Sequence, residues 1–238
     1  MTNPASLVPL VPPGEDELPS CDGEPMETDR HRKQMNLLIE SLDYALRDRD
    51  DVFVGGNMFV YYSELQTKRN DFKGPDVFVV LGTVRRERKS WVVWKEDGRM
   101  PDVIIELVSE STEAVDRGEK MRLYARTLRV GEYYIYDPWT YRLDGYRLDV
   151  GKGQYDALEP VEGSDLPCSQ LGLRLGIRHG RVGDVETSWL RWLDSRGNPV
   201  PTPAEAESQR AEAESQRARL AEARLAAYES KFGKLPDP

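Results

Sequence analysis

The sequence predicts a mixed α/β domain in which helices cover a sheet. Apolar residues recur at three- and four-residue steps after Thr28, which is the period of an amphipathic helix. Short runs rich in Val, Phe and Tyr follow between Asp51 and Glu96, as is typical of strands. The apolar segment that begins at Pro101 then leads into a second helical pattern and another strand, an order that favours a helix-covered sheet.

The first helix is predicted to begin at Thr28 or Asp29, because both residue types cap helices well. It runs for roughly five turns at 3.6 residues per turn. Its apolar face consists of Met35, Leu38, Ile39, Leu42, Ala45 and Leu46.

The β-rich region that follows is predicted to form sequential antiparallel strands. Gly55-Gly56-Asn57 provides the chemistry of a tight turn. The strand runs are DVFV from Asp51, MFVYY from Met58, VFVVLG from Val77 and SWVVWKE from Ser90.

The segment PDVIIELVS from Pro101 has apolar residues on both faces, which indicates the middle of a covered sheet. Ser111 or Thr112 is then predicted to cap a helix that ends at Gly131, before the strand EYYIYDP. The inward positions of that helix are Met121, Tyr124, Ala125 and Leu128.

Composition divides the chain into three predicted segments. Residues 1–25 contain six prolines and indicate a flexible arm, residues 26–198 form the folded domain, and residues 199–238 form a Pro-rich linker and a charged helix. Short β-rich runs between Tyr141 and Leu193 indicate a β-rich extension of the sheet. The terminal Ala/Glu/Arg-rich helix fits a solvated helix and an oligomerising coiled coil equally well. Its seam residues, spaced by sevens, are Ala206, Ala213, Leu220 and Ala227.

Charge and cysteine content limit the functional classes. The two cysteines, Cys21 and Cys168, give neither metal-site spacing nor a disulfide framework, so a reducing cytoplasmic location is expected. No run of ~18 apolar residues occurs, which argues against a membrane span. A net charge of −9 argues against non-specific coating of nucleic acid. However, residues 64–99 carry nine basic and six acidic side chains, so a local basic patch is expected there.

Glu106 is the residue whose chemistry most needs explaining. It interrupts the apolar run, and a carboxylate buried there is costly unless it binds a cation or a strong donor. Alternation along the strand places Asp102, Ile104, Glu106 and Val108 on one face.

Asp76 and Lys120 are the predicted partners of Glu106. Asp76 begins the run VFVVLG, within the predicted meander that leads to the Glu106 strand, and two carboxylates on neighbouring strands can share Mg²⁺. Lys120 lies on the next helix, with Asp116 and Tyr124 four residues before and after it. A lysine there can orient or deprotonate an attacking water and offset charge on a phosphorane.

Several short motifs in order resemble the restriction endonucleases of the Uma family, within the PD-(D/E)xK nuclease superfamily. Shorter matches lie at residues 22–31 and in the Pro-Thr-Pro segment before the terminal helix. The main motifs are Pro75-Asp76, Glu106-Leu107-Val108-Ser109, a helix with Asp116, Lys120 and Tyr124, Gly131-Glu132-Tyr133, and Tyr136-Asp137-Pro138.

The resemblance implies a restriction-endonuclease-like fold and metal-dependent phosphodiester hydrolysis. Asp76 and Glu106 match the metal-binding acids, with Mg²⁺ or Mn²⁺ as the cofactor. The superfamily's lysine normally stands two residues after the second acid, where this chain has Val108. Lys120 instead matches the Uma family's own lysine, on the following helix.

These observations predict a Mg²⁺- or Mn²⁺-dependent endodeoxyribonuclease that cuts DNA. Basic residues between Lys68 and Arg99 are expected to touch backbone phosphate. A homodimer is compatible with this function, because cutting both strands commonly needs two sites. The alternative is a nuclease fold without activity, in which Glu106 and Lys120 form a structural ion pair and the terminal helix serves as a binding or assembly module.

Other interpretations of the same residues stay open at this point. Asp76 can be a simple strand-start residue, and Lys120 an ordinary i,i+4 partner on its helix. Asp102 lies ~13 Å from Glu106 along the strand, too far to share an ion. Glu40 fits an accessory acid or a solvated helix position, and neither His31 nor His179 has an acidic neighbour at metal-site spacing.

Overall fold

A mixed sheet of six strands forms the scaffold of the computed structural model, which describes residues 12–19, 28–63, 72–109 and 112–233. This mixed α/β architecture confirms the predicted fold class. Within the described residues the strands, in chain order, are β1 (Val52–Gly55), β2 (Val60–Tyr61), β3 (Phe72–Lys73), β4 (Val77–Leu81), β5 (Trp91–Val92), β6 (Val103–Leu107), β7 (Glu132–Tyr136), β8 (Leu143–Asp149), β9 (Gln154–Ala157), β10 (Leu166–Cys168), β11 (Leu173–Val182) and β12 (Val185–Leu193).

The strand β6 lies inside the six-stranded sheet, whose order is β1-β4-β6-β7-β8-β9. It pairs with β4 antiparallel and with β7 parallel, which confirms the predicted central position. Alternate side chains of β6 enter two different cores: Val103 and Ile105 pack on one side of the sheet, and Ile104 packs on the other.

The predicted meander of sequential antiparallel strands is wrong. β1 pairs with β4, whereas β2, β3 and β5 form a separate small sheet in which β2 and β5 are parallel. A short 3₁₀ helix, Val93–Lys95, follows β5. Strand propensity alone does not select a pairing partner, and two-residue strands carry too little alternation to fix one.

Helix α1 (Asp29–Ala45) begins as predicted, with the Thr28 side chain accepting a hydrogen bond from the His31 N–H. Its buried face packs on the sheet core. Gln34 is completely buried and bonds both backbone groups of Leu190 in β12, at 2.9 Å each. The indole of Trp192 donates to the Leu38 carbonyl at 3.0 Å, so β12 anchors this helix.

Helix α2 (residues 113–128) contains two π-helical turns, Asp116–Lys120 and Tyr124–Leu128. It ends at Arg129, whose φ of 52° is left-handed, rather than at the predicted Gly131. Thr112 precedes it but makes no side-chain cap, because its hydroxyl accepts from the Ser109 N–H; Ser111 lies outside the described residues. The inward positions Tyr124, Ala125 and Leu128 are buried as predicted, whereas Met121 is only partly buried.

The predicted extension of the sheet is present in β8 and β9, which join the six-stranded sheet, whereas β10, β11 and β12 form a separate antiparallel sheet. Residues 12–19, which composition assigns to a flexible arm, contact the β-rich part of the domain. Glu15 pairs with Arg86, Asp16 pairs with Lys89, and the Trp94 indole donates to the Pro13 carbonyl. This stretch of the arm is therefore held by charge pairs and hydrogen bonds.

The chain divides into two units, Met1–Val200 and Pro201–Pro238. The second contains helix α3 (Pro203–Phe232), which begins with a capping box between Thr202 and Glu205. Leu220 in its predicted seam is 60% exposed. The coiled coil stays a prediction. Within the part of the chain that the structure describes, no helix is long and apolar enough to cross a membrane.

Candidate active site

Asp76 and Glu106 lie on neighbouring antiparallel strands at one edge of the sheet. Val77 is paired with Ile105, which places Asp76 opposite Glu106. The Asp76 Oδ2 atom accepts a hydrogen bond of 2.7 Å from the Leu107 N–H, next to Glu106 in the chain. The strand pairing that sequence analysis expected between these two acids is therefore present, although β4 and β6 are not consecutive strands of a meander.

Glu106 is 1% exposed, and two groups of α2 contact the same oxygen of its carboxylate. The Tyr124 hydroxyl donates to Oε1 at 2.7 Å, and the Lys120 ammonium lies 3.1 Å from it. Both groups come from α2, because residues four apart share one face of a helix. Two side chains of α2 thus meet the carboxylate that β6 carries on an otherwise apolar face.

Lys120 lies between two buried carboxylates. Its ammonium nitrogen is 2.6 Å from Asp116 Oδ1 as well as 3.1 Å from Glu106 Oε1, and both carboxylate side chains are 2% exposed. The structure therefore brings together all three residues selected from the sequence, and it adds Asp116 as a fourth. Their roles in catalysis remain predictions.

His31 is the member of the site that sequence reasoning missed. Its Nε2 atom lies 2.7 Å from Asp76 Oδ1, and both side chains are largely buried. The two residues are 45 positions apart, so no local spacing connects them. The signal available was indirect: His31 lies in the first turn of a well-capped helix, within the stretch that resembles the family.

Burial dominates the electrostatics of Glu106. Burial and, to a smaller extent, the charges of Asp76 and Asp116 together raise the pKa of this carboxyl to about 8, against the opposing effect of Lys120. Burial also raises the pKa of Asp116. Burial by itself would lower the pKa of Lys120, but the surrounding carboxylates outweigh it and raise that pKa, so the ammonium form persists at neutral pH.

The donor set suits a divalent cation with oxygen ligands. Three carboxyl groups lie around one ammonium, and burial raises the pKa of Glu106 and of Asp116, so a hard cation would stabilise their ionised forms. Within the described residues, no group of three or more His, Cys, Asp or Glu side chains is arranged to hold a metal ion. A cation here would therefore take the carboxylates of Asp76 and Glu106 and complete its shell with water or substrate, which is the usual pattern for Mg²⁺.

Most of the predicted basic patch is already occupied by acidic partners. Arg88 is buried against Glu96, and Arg86 also contacts that carboxylate. Arg85 pairs with Asp43. Lys68 and Arg69 lie outside the described residues. Internal charge pairs thus hold several of these residues, and contact of the basic residues between Lys68 and Arg99 with phosphate stays a prediction.

Lys73, another described member of the patch, contacts the helix of the candidate site. It lies 3.2 Å from Glu119, a residue of α2 that is 68% exposed. Glu40, considered above as an accessory acid, is exposed on α1. Asp102 lies at the opposite end of β6, where it accepts a hydrogen bond of 2.7 Å from the Leu81 N–H.

Comparison with known proteins gives three findings. The model of the Uma2 family, described as "Putative restriction endonuclease", matches residues 15–183. An uncharacterized protein of Synechocystis sp. is 25% identical over 126 residues, which is 52% of this chain and 63% of that protein. A crystal structure titled as a putative nuclease belonging to DUF820, from Anabaena variabilis, has a TM-score of 0.46 and 14% identity over 65% of this chain and 84% of its own.

The family match covers well over half of the chain and includes Asp76, Glu106, Lys120 and His31. The aligned region spans less than two thirds of the Synechocystis relative. A family match of this extent shows membership in the family. The chain therefore belongs to the Uma2 family of restriction endonuclease-like proteins.

Proposed function

We propose that this protein is an endonuclease that requires Mg²⁺ or Mn²⁺ and hydrolyses phosphodiester bonds in DNA. The observation that carries the proposal is the meeting of Asp76, Glu106 and Lys120 where β4 begins and β6 ends, with the Glu106 carboxyl buried. Asp76 and Glu106 would hold the cation. A divalent ion bound there supplies Lewis-acid stabilisation of the charge that develops on the phosphoryl oxygen.

Tyr124 and Lys120 fix the orientation of the Glu106 carboxylate. Both contact Oε1, which makes Oε2 the oxygen of Glu106 that is available to a cation. His31 and the Leu107 N–H hold the Asp76 carboxylate in a similar way, each through one oxygen. The two acids are thus oriented before any ligand binds, and such preorganisation limits the entropy lost on binding.

Lys120 acts as a cation in this proposal and not as a general base. Its neighbouring carboxylates raise its pKa, so it keeps its proton near neutral pH. An ammonium group at this position can donate a hydrogen bond to the attacking water and stabilise negative charge on the transferring phosphoryl group. The proton of the attacking water must then be accepted by another group, such as solvent or a substrate phosphate.

The direct test is cleavage of supercoiled plasmid DNA in Mg²⁺ and in Mn²⁺. Wild-type protein, Glu106→Ala and the exposed control Glu87→Gln are purified identically. Nicking or linearisation is expected from wild type and from Glu87→Gln, and it should disappear in Glu106→Ala and in EDTA. Equal cutting by Glu106→Ala, or no cutting by wild type in either metal, would overturn the proposal. An RNA of the same sequence tests whether the substrate is DNA.

A second function is favoured by one observation: Lys120 forms ion pairs with both Glu106 and Asp116. Such a network can exist without metal, as in a nuclease fold that acts only as a binding or assembly module. This alternative predicts no Mn²⁺ affinity and an oligomer assembled through α3. Sedimentation of the full chain and of Leu220→Glu, changed at an exposed seam position, tests the oligomer.

A further inference from the structure

Trp139 is an exposed aromatic residue that the proposed chemistry does not use. It lies in the loop of residues 137–142 between β7 and β8 and is 56% exposed. By contrast, Trp91, Trp189 and Trp192 are at most 1% exposed. Tyr141 of the same loop is 36% exposed, so the loop presents two aromatic side chains and not an isolated one.

The Trp139 loop is held in a fixed shape. Asp137 Oδ1 accepts hydrogen bonds from the backbone N–H groups of Trp139 and Thr140, at 2.8 and 3.2 Å. Tyr141 has a φ of 61°, a left-handed conformation that is uncommon for a bulky residue and often marks functional sites. The aromatic side chains of this loop therefore project from a defined backbone.

Arg30 lies behind the two aromatic rings of the loop. Its guanidinium carbon is 4.8 Å from the ring centre of Trp139 and 5.3 Å from that of Tyr141. It is fixed by hydrogen bonds to the Tyr141 hydroxyl at 3.0 Å and to Thr187 Oγ1 at 2.5 Å. Since Arg30 covers one face of Trp139, the exposed surface of that ring includes the opposite face.

The loop lies at the same sheet edge as the candidate site. Leu107, whose N–H binds Asp76, is paired with Tyr136, the last residue before the loop, and neighbouring strands are ~4.8 Å apart. Arg30 also precedes His31, whose side chain contacts Asp76. The aromatic surface and the proposed phosphodiester site are therefore neighbours.

We propose that Trp139 and Tyr141, backed by Arg30, form a stacking platform for an unpaired nucleobase beside the scissile phosphate. This inference rests on the proposed function and specifies its substrate as DNA with unpaired nucleotides, such as single strands, flaps or bubbles. Bases inside a regular duplex are already stacked and cannot offer a face to Trp139. Every base has a π face, so such a platform tolerates many sequences.

The local charges favour stacking over phosphate contact as the source of affinity. Arg117 is engaged by Glu113 and Asp144, and Arg142 also contacts Asp144. With these basic side chains paired internally, the platform has little free positive charge for a DNA backbone. The guanidinium of Arg30 instead lies against the aromatic rings, where its cation–π contacts fix their position.

The test measures binding in EDTA, where metal-dependent cleavage does not occur. Full-length protein is titrated with a twelve-nucleotide oligothymidylate and with an abasic strand of the same length, while tryptophan fluorescence and the anisotropy of a dye on the strand are recorded. We expect fluorescence quenching by the oligothymidylate and much weaker binding of the abasic strand. Equal affinity for the two strands would overturn the proposal.

Variants of the loop separate stacking from general binding. Trp139→Ala should weaken oligothymidylate binding by about 5- to 150-fold, the range expected for one stacked base. Trp139→Phe should retain most of the affinity measured by anisotropy and lose most of the quenching, because it keeps a ring and removes the exposed indole. The control Val150→Ala, 64% exposed beyond the opposite end of β7, should bind as wild type does.

Unchanged binding by Trp139→Ala would overturn the platform, as would quenching by a neutral polysaccharide such as amylose without quenching by DNA. Failure of the proposed function gives a different result, because wild type would then bind the oligonucleotide but cut no DNA in Mg²⁺ or Mn²⁺. If both proposals hold, a duplex with a central bubble should be cut faster than the fully paired duplex.

Discussion

Replacing Glu106 by Gln should change how the stability of the protein depends on pH. Burial raises the pKa of Glu106 from 4.5 to about 8, so between these pH values the folded protein keeps a proton that the unfolded chain has lost. The contribution of the protonated Glu106 carboxyl to the free energy of unfolding is therefore fully present below pH 4.5 and is lost as pH rises to about 8. At ~1.4 kcal/mol per pH unit, the loss over this interval is about 5 kcal/mol.

Glu106→Gln removes the titration but preserves the shape of the side chain and an acceptor for the Tyr124 hydroxyl. We expect the variant to gain stability relative to wild type as pH rises, by up to about 4 kcal/mol between pH 5 and pH 9. Urea unfolding in EDTA at five pH values measures this difference. Glu87→Gln, exposed in a loop, should remain parallel to wild type throughout.

Two results would refute this reasoning. If the stability curves of wild type and Glu106→Gln run parallel from pH 5 to pH 9, Glu106 does not have a raised pKa. Saturating Mg²⁺ should also flatten the wild-type curve, because a bound cation favours the ionised carboxylate. An unchanged curve in Mg²⁺ would show that Glu106 does not bind the ion.

Three further changes test the surroundings of the site. Lys120→Met removes the ammonium between two buried carboxylates and should cost about 3–5 kcal/mol in urea unfolding at pH 8, along with all plasmid cleavage. His31→Phe removes a partner of Asp76 and should weaken Mn²⁺ binding about 10- to 100-fold in a calorimetric titration. Gly56→Ala should cost about 1–3 kcal/mol in thermal unfolding, because its Cβ would lie 2.2 Å from the Asp76 carbonyl oxygen. Gly180→Ala meets no atom within 4 Å and should change stability by less than ~0.5 kcal/mol. Wild-type behaviour in any of the first three variants would contradict the role assigned to that residue.

The sequence sufficed to predict the strand that carries Glu106 and the residues that meet it. Apolar residues on both faces of β6 predict a central strand, and alternation then fixes the face of Glu106. The four-residue helical repeat places Lys120, Asp116 and Tyr124 on one face of α2. Such features depend on short-range periodicity, which a single sequence displays directly.

Contacts between distant elements could not be predicted in this way. The bond between His31 and Asp76 depends on where α1 packs, and α1 is anchored by Gln34 against Leu190, 156 residues away. Likewise, β2 pairs with β5 and not with a strand of the main sheet, because partner choice depends on packing around both. The end of α2 at Arg129 also lacks the usual glycine signal, since a non-glycine residue adopts the left-handed conformation there.

The anchoring of α1 on β12 has a consequence for the synthesis of the protein. The Asp76 strand and the Glu106 strand leave the ribosome early, but His31 reaches its position only when α1 can bind the backbone of Leu190. At about 5–20 residues per second, the 156 residues between Gln34 and Leu190 take on the order of 10–30 s to translate. Glu106 precedes Leu190 by 84 residues, so the nascent chain carries both acids for on the order of 4–17 s without the histidine contact, and the complete constellation forms only after Leu190 has been translated.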